Sequence, residues 1–201
     1  MQKVGMLCLA GMVLAGCLSE EKSFGQSAGY GRSYHSPVMV QIPGNAPSIT
    51  QQFRRVEGNE HYGLDVHAAI GTPVIAAAGG DVVASFFGPM YGHQIEILHQ
   101  PDATGVASRT RYVHLQKRLV EKGDTVSRGE QVGTMGASGV LAGGFPHLHF
   151  EALYRGDSIL HHARDPNLFW VNGLGKVTCY EPKHDALGSE TFLLTYPVQC
   201  K

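Results

Sequence analysis

The chain has 201 residues, 26 of them glycine, with 16% charged residues and a formal net charge of −1. That length buries a full core without staples, and 16 Lys+Arg against 17 Asp+Glu leave no one-signed field to draw in nucleic acid or anionic lipid headgroups. Glycine at about twice its usual share, with charge well below the usual quarter, excludes a coiled coil and an acidic disordered tail. The 11 histidines concentrate the residue that titrates near neutrality and most often binds metals.

In chain order, residues 4–14 form an apolar run after Lys3. The run is shorter than the ~20 residues that span a bilayer as a helix, and it reads as the hydrophobic part of a signal peptide over 1–16. Leu14-Ala15-Gly16-Cys17 resembles the lipobox of bacterial lipoproteins. That resemblance implies cleavage before Cys17 and lipidation of Cys17, which would hold the chain at a membrane without spanning it. An ordinary secretory signal containing a cysteine is the alternative. Because Leu18 and Ser19 follow with no aspartate, the resemblance also implies the periplasmic face of the outer membrane of a Gram-negative bacterium. Residues 17–48 are polar and Gly-, Ser- and Pro-containing without a period, as a flexible tether would be.

Over 49–170 the pattern changes to short apolar runs broken by Gly, Pro and Asp. They are Thr72-Pro73-Val74-Ile75-Ala76, Asp81-Val82-Val83-Ala84, Gln94-Ile95-Glu96-Ile97-Leu98, Arg111-Tyr112-Val113-His114-Leu115 and His147-Leu148-His149-Phe150-Glu151-Ala152-Leu153. These are strand lengths with turn punctuation. Only residues 116–122 read as a short helical turn, so the expectation is one all-β, or β-dominated, domain. Residues 171–201 are weakly patterned and read as a C-terminal extension. Cys179 and Cys200 are the pair left over in an exported chain, and they invite a disulfide across that extension; two free thiols are the alternative.

Three histidine clusters carry the chemistry. His61-Tyr62-Gly63-Leu64-Asp65 places two zinc-competent side chains four apart around a glycine that permits a tight turn. Taken alone, the pair is weak evidence and is more at home in a surface loop. His147-Leu148-His149 lies in a strand-like segment, so both imidazoles share one face while Leu148 and Phe150 point behind, into a core. In Tyr112-Val113-His114-Leu115 the same alternation puts Tyr112 and His114 on one face and Val113 and Leu115 on the other.

Taken together, the sequence resembles the lysostaphin/LytM-type zinc metallopeptidases, which are peptidoglycan endopeptidases with a β-sheet groove. The match runs in order through His61-x-x-x-Asp65, Gly71-Thr72-Pro73-Val74, Gly79 to Val82, Tyr91-Gly92, Tyr112-x-His114-Leu115, Gly123-Asp124-x-Val126, Gly129, Gly133, Gly136 to Gly139 and Pro146-His147-x-His149-Phe150-Glu151. The resemblance implies a single domain with an antiparallel sheet forming a substrate groove. It also implies one zinc ion on His61, Asp65 and His149, with His114 and His147 as catalytic histidines. Three protein ligands leave a fourth position open for water, as a catalytic zinc site needs. His147, beside ligand His149, is the better placed base, and His114 suits an oxyanion or the leaving amine; the sequence leaves that division open.

Two segments depart from the family pattern. Residues 99–109 are longer and more polar than the usual turn, which is expected to alter one groove wall, and Ala142-Gly143-Gly144-Phe145 alters the loop before Pro146. His67, His93, His99, His161, His162 and His184 match no ligand and are expected at the surface or around the ligands. The implied substrate is the peptide stem of peptidoglycan. A catalytically inactive relative, acting as activator or scaffold for another cell-wall hydrolase, is the competing function and would bring a regulatory cell-wall protein as partner.

Overall fold

In the computed structural model, the described residues are 34–35, 38–154, 163–188 and 191–201. The expected signal peptide over 1–16, Cys17, most of the expected tether, and His161 and His162 lie outside them. The strands are β1 (Tyr34–His35), β2 (Ser48–Gln51), β3 (Arg54–Arg55), β4 (Leu64–His67), β5 (Pro73–Ile75), β6 (Gly80–Gly88), β7 (Gly92–Leu98) and β8 (Ser108–Leu115). They continue with β9 (Lys117–Arg118), β10 (Thr125–Val126), β11 (Gln131–Thr134), β12 (Leu148–Tyr154) and β13 (Ala163–Arg164). Helical structure among the described residues is confined to the 3-10 turns Val140–Ala142, Pro166–Leu168 and Pro182–Ala186.

The main sheet has the order β10-β6-β7-β8-β12-β4-β2, with β13 beside the far half of β12. Its pairs are antiparallel. Alternation gives the sheet two faces. Ile95, Ile97, Tyr112, Leu148, Phe150, Ala152, Leu64 and Val66 are all 0% exposed and share one core with Val74 and Val132 of the smaller β5-β11-β9 sheet and with Ala76 and Met135 just past its strands. Each fully buried Leu, Ile, Val or Phe contributes roughly 1.5–3 kcal/mol by leaving water. The five apolar runs read as strands fall on β5, β6, β7, β8 and β12.

The expected helical turn at 116–122 does not form. Lys117 and Arg118 pair with Thr134 and Gly133 as β9, the Leu119 amide donates to the Val132 carbonyl, and Val120 is buried. Cross-strand partners outweigh the weak preference of so short a segment for a helix.

The C-terminal segment is far more than a tied tail. Phe192, Leu194, Tyr196 and Val198 alternate into the main core. The Thr195 amide donates to Ala77, Ile75 to Pro197 and Gln199 to Pro73, so this stretch runs as a further strand along β5 and covers its edge. Cys179 and Cys200 form a disulfide with their Cα atoms 6.0 Å apart. Leu193, apolar and out of phase, and Pro197, unusual in a strand, weaken the period of two in the sequence. Residues 41–47, read from sequence as tether, are fixed to the same segment. Gln41 exchanges backbone hydrogen bonds with Gly175 and Val177, Lys201 donates to Asn45, and the Tyr196 hydroxyl donates to the Pro47 carbonyl.

Candidate metal centre

The site is built by the register of three neighbouring strands. On β12, His149 lies opposite Asp65 of β4 on one side and Val113 of β8 on the other. Just before β4, His61 is held by reciprocal backbone hydrogen bonds with Arg54. Gly63 serves this closeness rather than a turn. It is absent from the positive-φ residues, and a Cβ there would run into the Phe150 carbonyl and the His149 ring.

These placements bring three donor atoms to one point. His61 Nε2 is 3.0 Å from Asp65 Oδ1 and 3.1 Å from His149 Nδ1, and His149 Nδ1 is 2.8 Å from Asp65 Oδ1. Tetrahedral zinc with bonds near 2.0–2.1 Å has donors about 3.3 Å apart, so the triangle needs only a small expansion to hold the ion. The donor types fit as well, because two imidazoles and one carboxylate form a normal zinc set. Each imidazole is aimed by its other nitrogen: His61 Nδ1–H donates to the Gln52 carbonyl at 2.9 Å and His149 Nε2–H to Glu151 Oε1 at 3.1 Å. Such partners fix the tautomer that leaves the ligating nitrogen bare.

Charge follows from this packing. Burial pushes the Asp65 carboxyl up, but hydrogen bonds and ion pairing with His149 and His61 outweigh it and hold the group well below the usual carboxylate range. Burial pushes the His149 imidazole down; its hydrogen bonds to Asp65 and Glu151 outweigh that and bring it to about 9.

The two remaining histidines flank the triangle. His147 Nδ1–H donates to the Phe145 carbonyl at 2.8 Å, which turns Nε2 inward, 3.9 Å from Asp65 Oδ1. His114 Nδ1–H donates to the Ser138 carbonyl at 2.8 Å, and its ring centroid is 4.8 Å from that of His147. Burial, chiefly, pushes the His114 imidazole down to about 4, so it is neutral at neutral pH with a free Nε2 lone pair. Tyr91, Leu141, Tyr62, Gln51 and Glu60 complete the lining of a groove of about 280 Å³.

The route by which His114 arrives differs from simple alternation. Tyr112 lies on the core face opposite Phe150, and its hydroxyl is tied to the Ala77 amide and Thr110. His114 nonetheless reaches the groove. His93 pairs with Leu115 and Ile95 with Tyr112, so Gln94 stands opposite both Val113 and His114. That bulge, with His114 at φ 65, re-aims the side chain. A non-glycine residue there costs on the order of 1–3 kcal/mol. The cost is met by three bonds: the His114 amide to the Tyr91 carbonyl, the Ser138 amide to the His114 carbonyl, and the ring to the Ser138 carbonyl.

Of the other histidines, His67 stacks on Phe145 with centroids 4.7 Å apart and bonds to the Pro146 carbonyl, next to His147. His93 receives a hydrogen bond from Arg118. His184 is buried and caps its own 3-10 turn at Glu181. His99 is neither at the surface nor near the ligands. It is 5% exposed, with Nδ1 on the Gly79 carbonyl and Nε2 on the Thr110 hydroxyl. The polar loop over 99–107 also sits away from the centre: Asp102 accepts from Tyr154, five residues along β12 from His149, or about 16 Å at strand rise. The expected alteration of a groove wall by this loop is therefore corrected to a change at the far end of the sheet.

Sequence reasoning gave no role to Glu151, Arg111, Gln52 or Ser138. Glu151 was legible, because it lies two residues after His149 on a strand and so shares its face. The other three act across strands or through backbone atoms and left no local signal.

A strand-built groove with three convergent donors, flanked by two histidines whose Nε2 atoms face inward, has the donor set that a metallopeptidase site needs. Residues 59–160 match the model of peptidase family M23, and the chain belongs to that family. The peptidoglycan DD-endopeptidase ShyA of Vibrio cholerae is 43% identical over 96 residues, 48% of this chain and 21% of that protein. A zinc-containing peptidase from Vibrio cholerae superposes with a TM-score of 0.50 at 33% identity, covering 64% of this chain and 38% of the other. The antimicrobial peptidase lysostaphin from Staphylococcus simulans gives 0.51 at 31% identity, over 61% of this chain and 49% of its own. The chain thus spans about a fifth of the length of the curated relative ShyA.

Proposed function

We propose that this protein is a zinc metalloendopeptidase that hydrolyses peptide cross-links of peptidoglycan, working from a lipid anchor on Cys17. The observation that carries the reading is the convergence of His61 Nε2, Asp65 Oδ1 and His149 Nδ1 within 3.1 Å of one another, with His114 and His147 beside them and unspent. Zinc held by those three atoms would polarise the scissile carbonyl and bring the pKa of water toward ~7.

The chain's own residues supply the proton traffic. His147 Nε2, 3.9 Å from Asp65 Oδ1, takes the proton of the attacking water. The proton His147 takes from water is the one the leaving amine needs; it passes by way of His114 Nε2, whose ring lies 4.8 Å from that of His147 and, being buried, is a poor cation that does not retain it. Tyr91 and Leu141 on one wall and Gln51 and Glu60 on the other confine a peptide strand between them. Similarity to a peptidoglycan DD-endopeptidase supports the D-alanyl to meso-diaminopimelate cross-link as substrate, and the lipobox-like Leu14-Ala15-Gly16-Cys17 supports the outer-membrane location.

The test is digestion of purified Gram-negative sacculi with mass spectrometry of the muropeptides. The expected result is loss of cross-linked dimers with the zinc-loaded chain and none with His149→Ala. Cleavage by His149→Ala at the rate of the unsubstituted chain would overturn the reading. Labelled palmitate should enter the protein in cells and be lost on Cys17→Ala.

A further inference from the structure

Behind the ligands, on the groove face of the sheet, lies a layer of charge that the fold itself does not require. Glu151 (6% exposed), Arg111 (9%), Glu96 (4%) and Gln94 (2%) are all buried. Arg111 Nη1 lies 3.3 and 3.4 Å from the two Glu151 oxygens, and its Nε lies 3.6 Å from Glu96 Oε1. Arg111 also donates to Gln94 Oε1, and Arg109 lies 3.7 Å from Glu96. Taking such ions out of water is costly, and well-packed apolar side chains often replace them at no loss of stability. Stability therefore gives no reason for this layer in the middle of a β-sheet. Its position does.

Glu151 accepts the Nε2–H of His149 at 3.1 Å, so when a metal displaces the second ring proton it is Nδ1, facing Asp65 and His61, that is left as the lone pair. Arg111 grips both oxygens of Glu151, so the carboxylate cannot turn away. The same guanidinium lies 4.8 Å over the Tyr91 ring, which lines the groove, and the Tyr91 carbonyl receives the His114 amide.

We propose that Glu151 is a positioning residue that aims His149 Nδ1 at the metal, and that Arg111, by gripping Glu151 and stacking on Tyr91, ties the ligand to the groove wall. This rests on the zinc reading above. Zinc affinity of the full chain is measured by chelator competition, alongside urea unfolding of the metal-stripped protein. Glu151→Gln keeps the size and an acceptor but loses the charge, and it should bind zinc 10–100-fold more weakly. Arg111→Lys keeps the charge and loses the fork and the stacking plane. It should weaken zinc several-fold and raise KM more than it lowers kcat, because the Tyr91 wall loosens. Unchanged zinc affinity in folded Glu151→Gln, or in Arg111→Lys should the first fail to fold, overturns the positioning role alone. Failure of the unsubstituted chain to take up zinc at neutral pH sinks the zinc reading, and this inference with it.

Discussion

Strand β12 presents two surfaces made by different rules. Leu148, Phe150 and Ala152 point into a buried core that is apolar except where His99, Thr110 and the Tyr112 hydroxyl bond to one another. His149 and Glu151, one residue out of phase, point into a layer of imidazoles, carboxylates and guanidinium groups. On the core side, strict alternation holds and shape decides the energy. On the groove side, alternation is broken at His114 and charges are buried at a cost. A sheet can thus hold a polar constellation in place because its other face is an ordinary hydrophobic core. The stability of one face lets the other be strained.

If the two faces do separate work, substitutions should divide cleanly between chemistry and stability. The largest effect is expected for His149→Ala, which removes a proposed ligand: kcat on sacculi should fall by about three orders of magnitude or more, while the metal-stripped protein should still unfold cooperatively in urea, weakened by the lost pairing with Asp65 and Glu151. Loss of the folded state itself would erase the distinction. His114→Ala should keep zinc, by direct metal analysis, and lose about 10²–10⁴ in kcat. Loss of zinc along with activity would mean that it helps hold the ion.

On the opposite face, Phe150→Ala should cost about 3–5 kcal/mol in unfolding free energy. Activity should survive in the fraction that remains folded. Next comes His99, buried on the core side and pushed down to about 4, chiefly by burial. The unfolded chain takes up this proton near pH 6.5, whereas the folded protein refuses it until pH falls to about 4. Stability is therefore complete above pH 6.5 and is lost as pH falls toward 4, by roughly 3 kcal/mol. His99→Gln should flatten that slope in urea midpoints measured across this window. Cys179→Ser with Cys200→Ser opens a loop of sequence separation 21, worth about 3 kcal/mol or less. Zinc affinity should not change, since the clasp packs on β5 rather than on the ligands.

Much of the groove-side placement was legible in sequence. His147 and His149 share a strand face by period two, and the spacing of His61 and Asp65 met the ordered motifs of a known family. The path of His114 was not legible. Tyr112 and His114 look like same-face neighbours, and only the mismatch between β7 and β8 shows that one is in the core and the other in the groove. Gly63 reads as a turn glycine until the Phe150 carbonyl is seen against it. The alternation of Phe192, Leu194, Tyr196 and Val198 was present in the sequence but looked weak. Its partner, β5, lies more than a hundred residues earlier, and pairing over that distance leaves no local mark.

By itself the sequence determined the all-β class, the strand identities of the five apolar runs and the set of side chains able to bind a metal. All of these rest on local periodicity and side-chain chemistry, which are written residue by residue. The tertiary structure decided the register that sets His149 against Asp65, the bulge that turns His114, the Arg111–Glu151 grip behind the ligand, and the docking of the C-terminal segment on β5. Each of these depends on atoms from separate strands meeting within about 3 Å, a relation fixed by packing and backbone hydrogen bonding across the sheet.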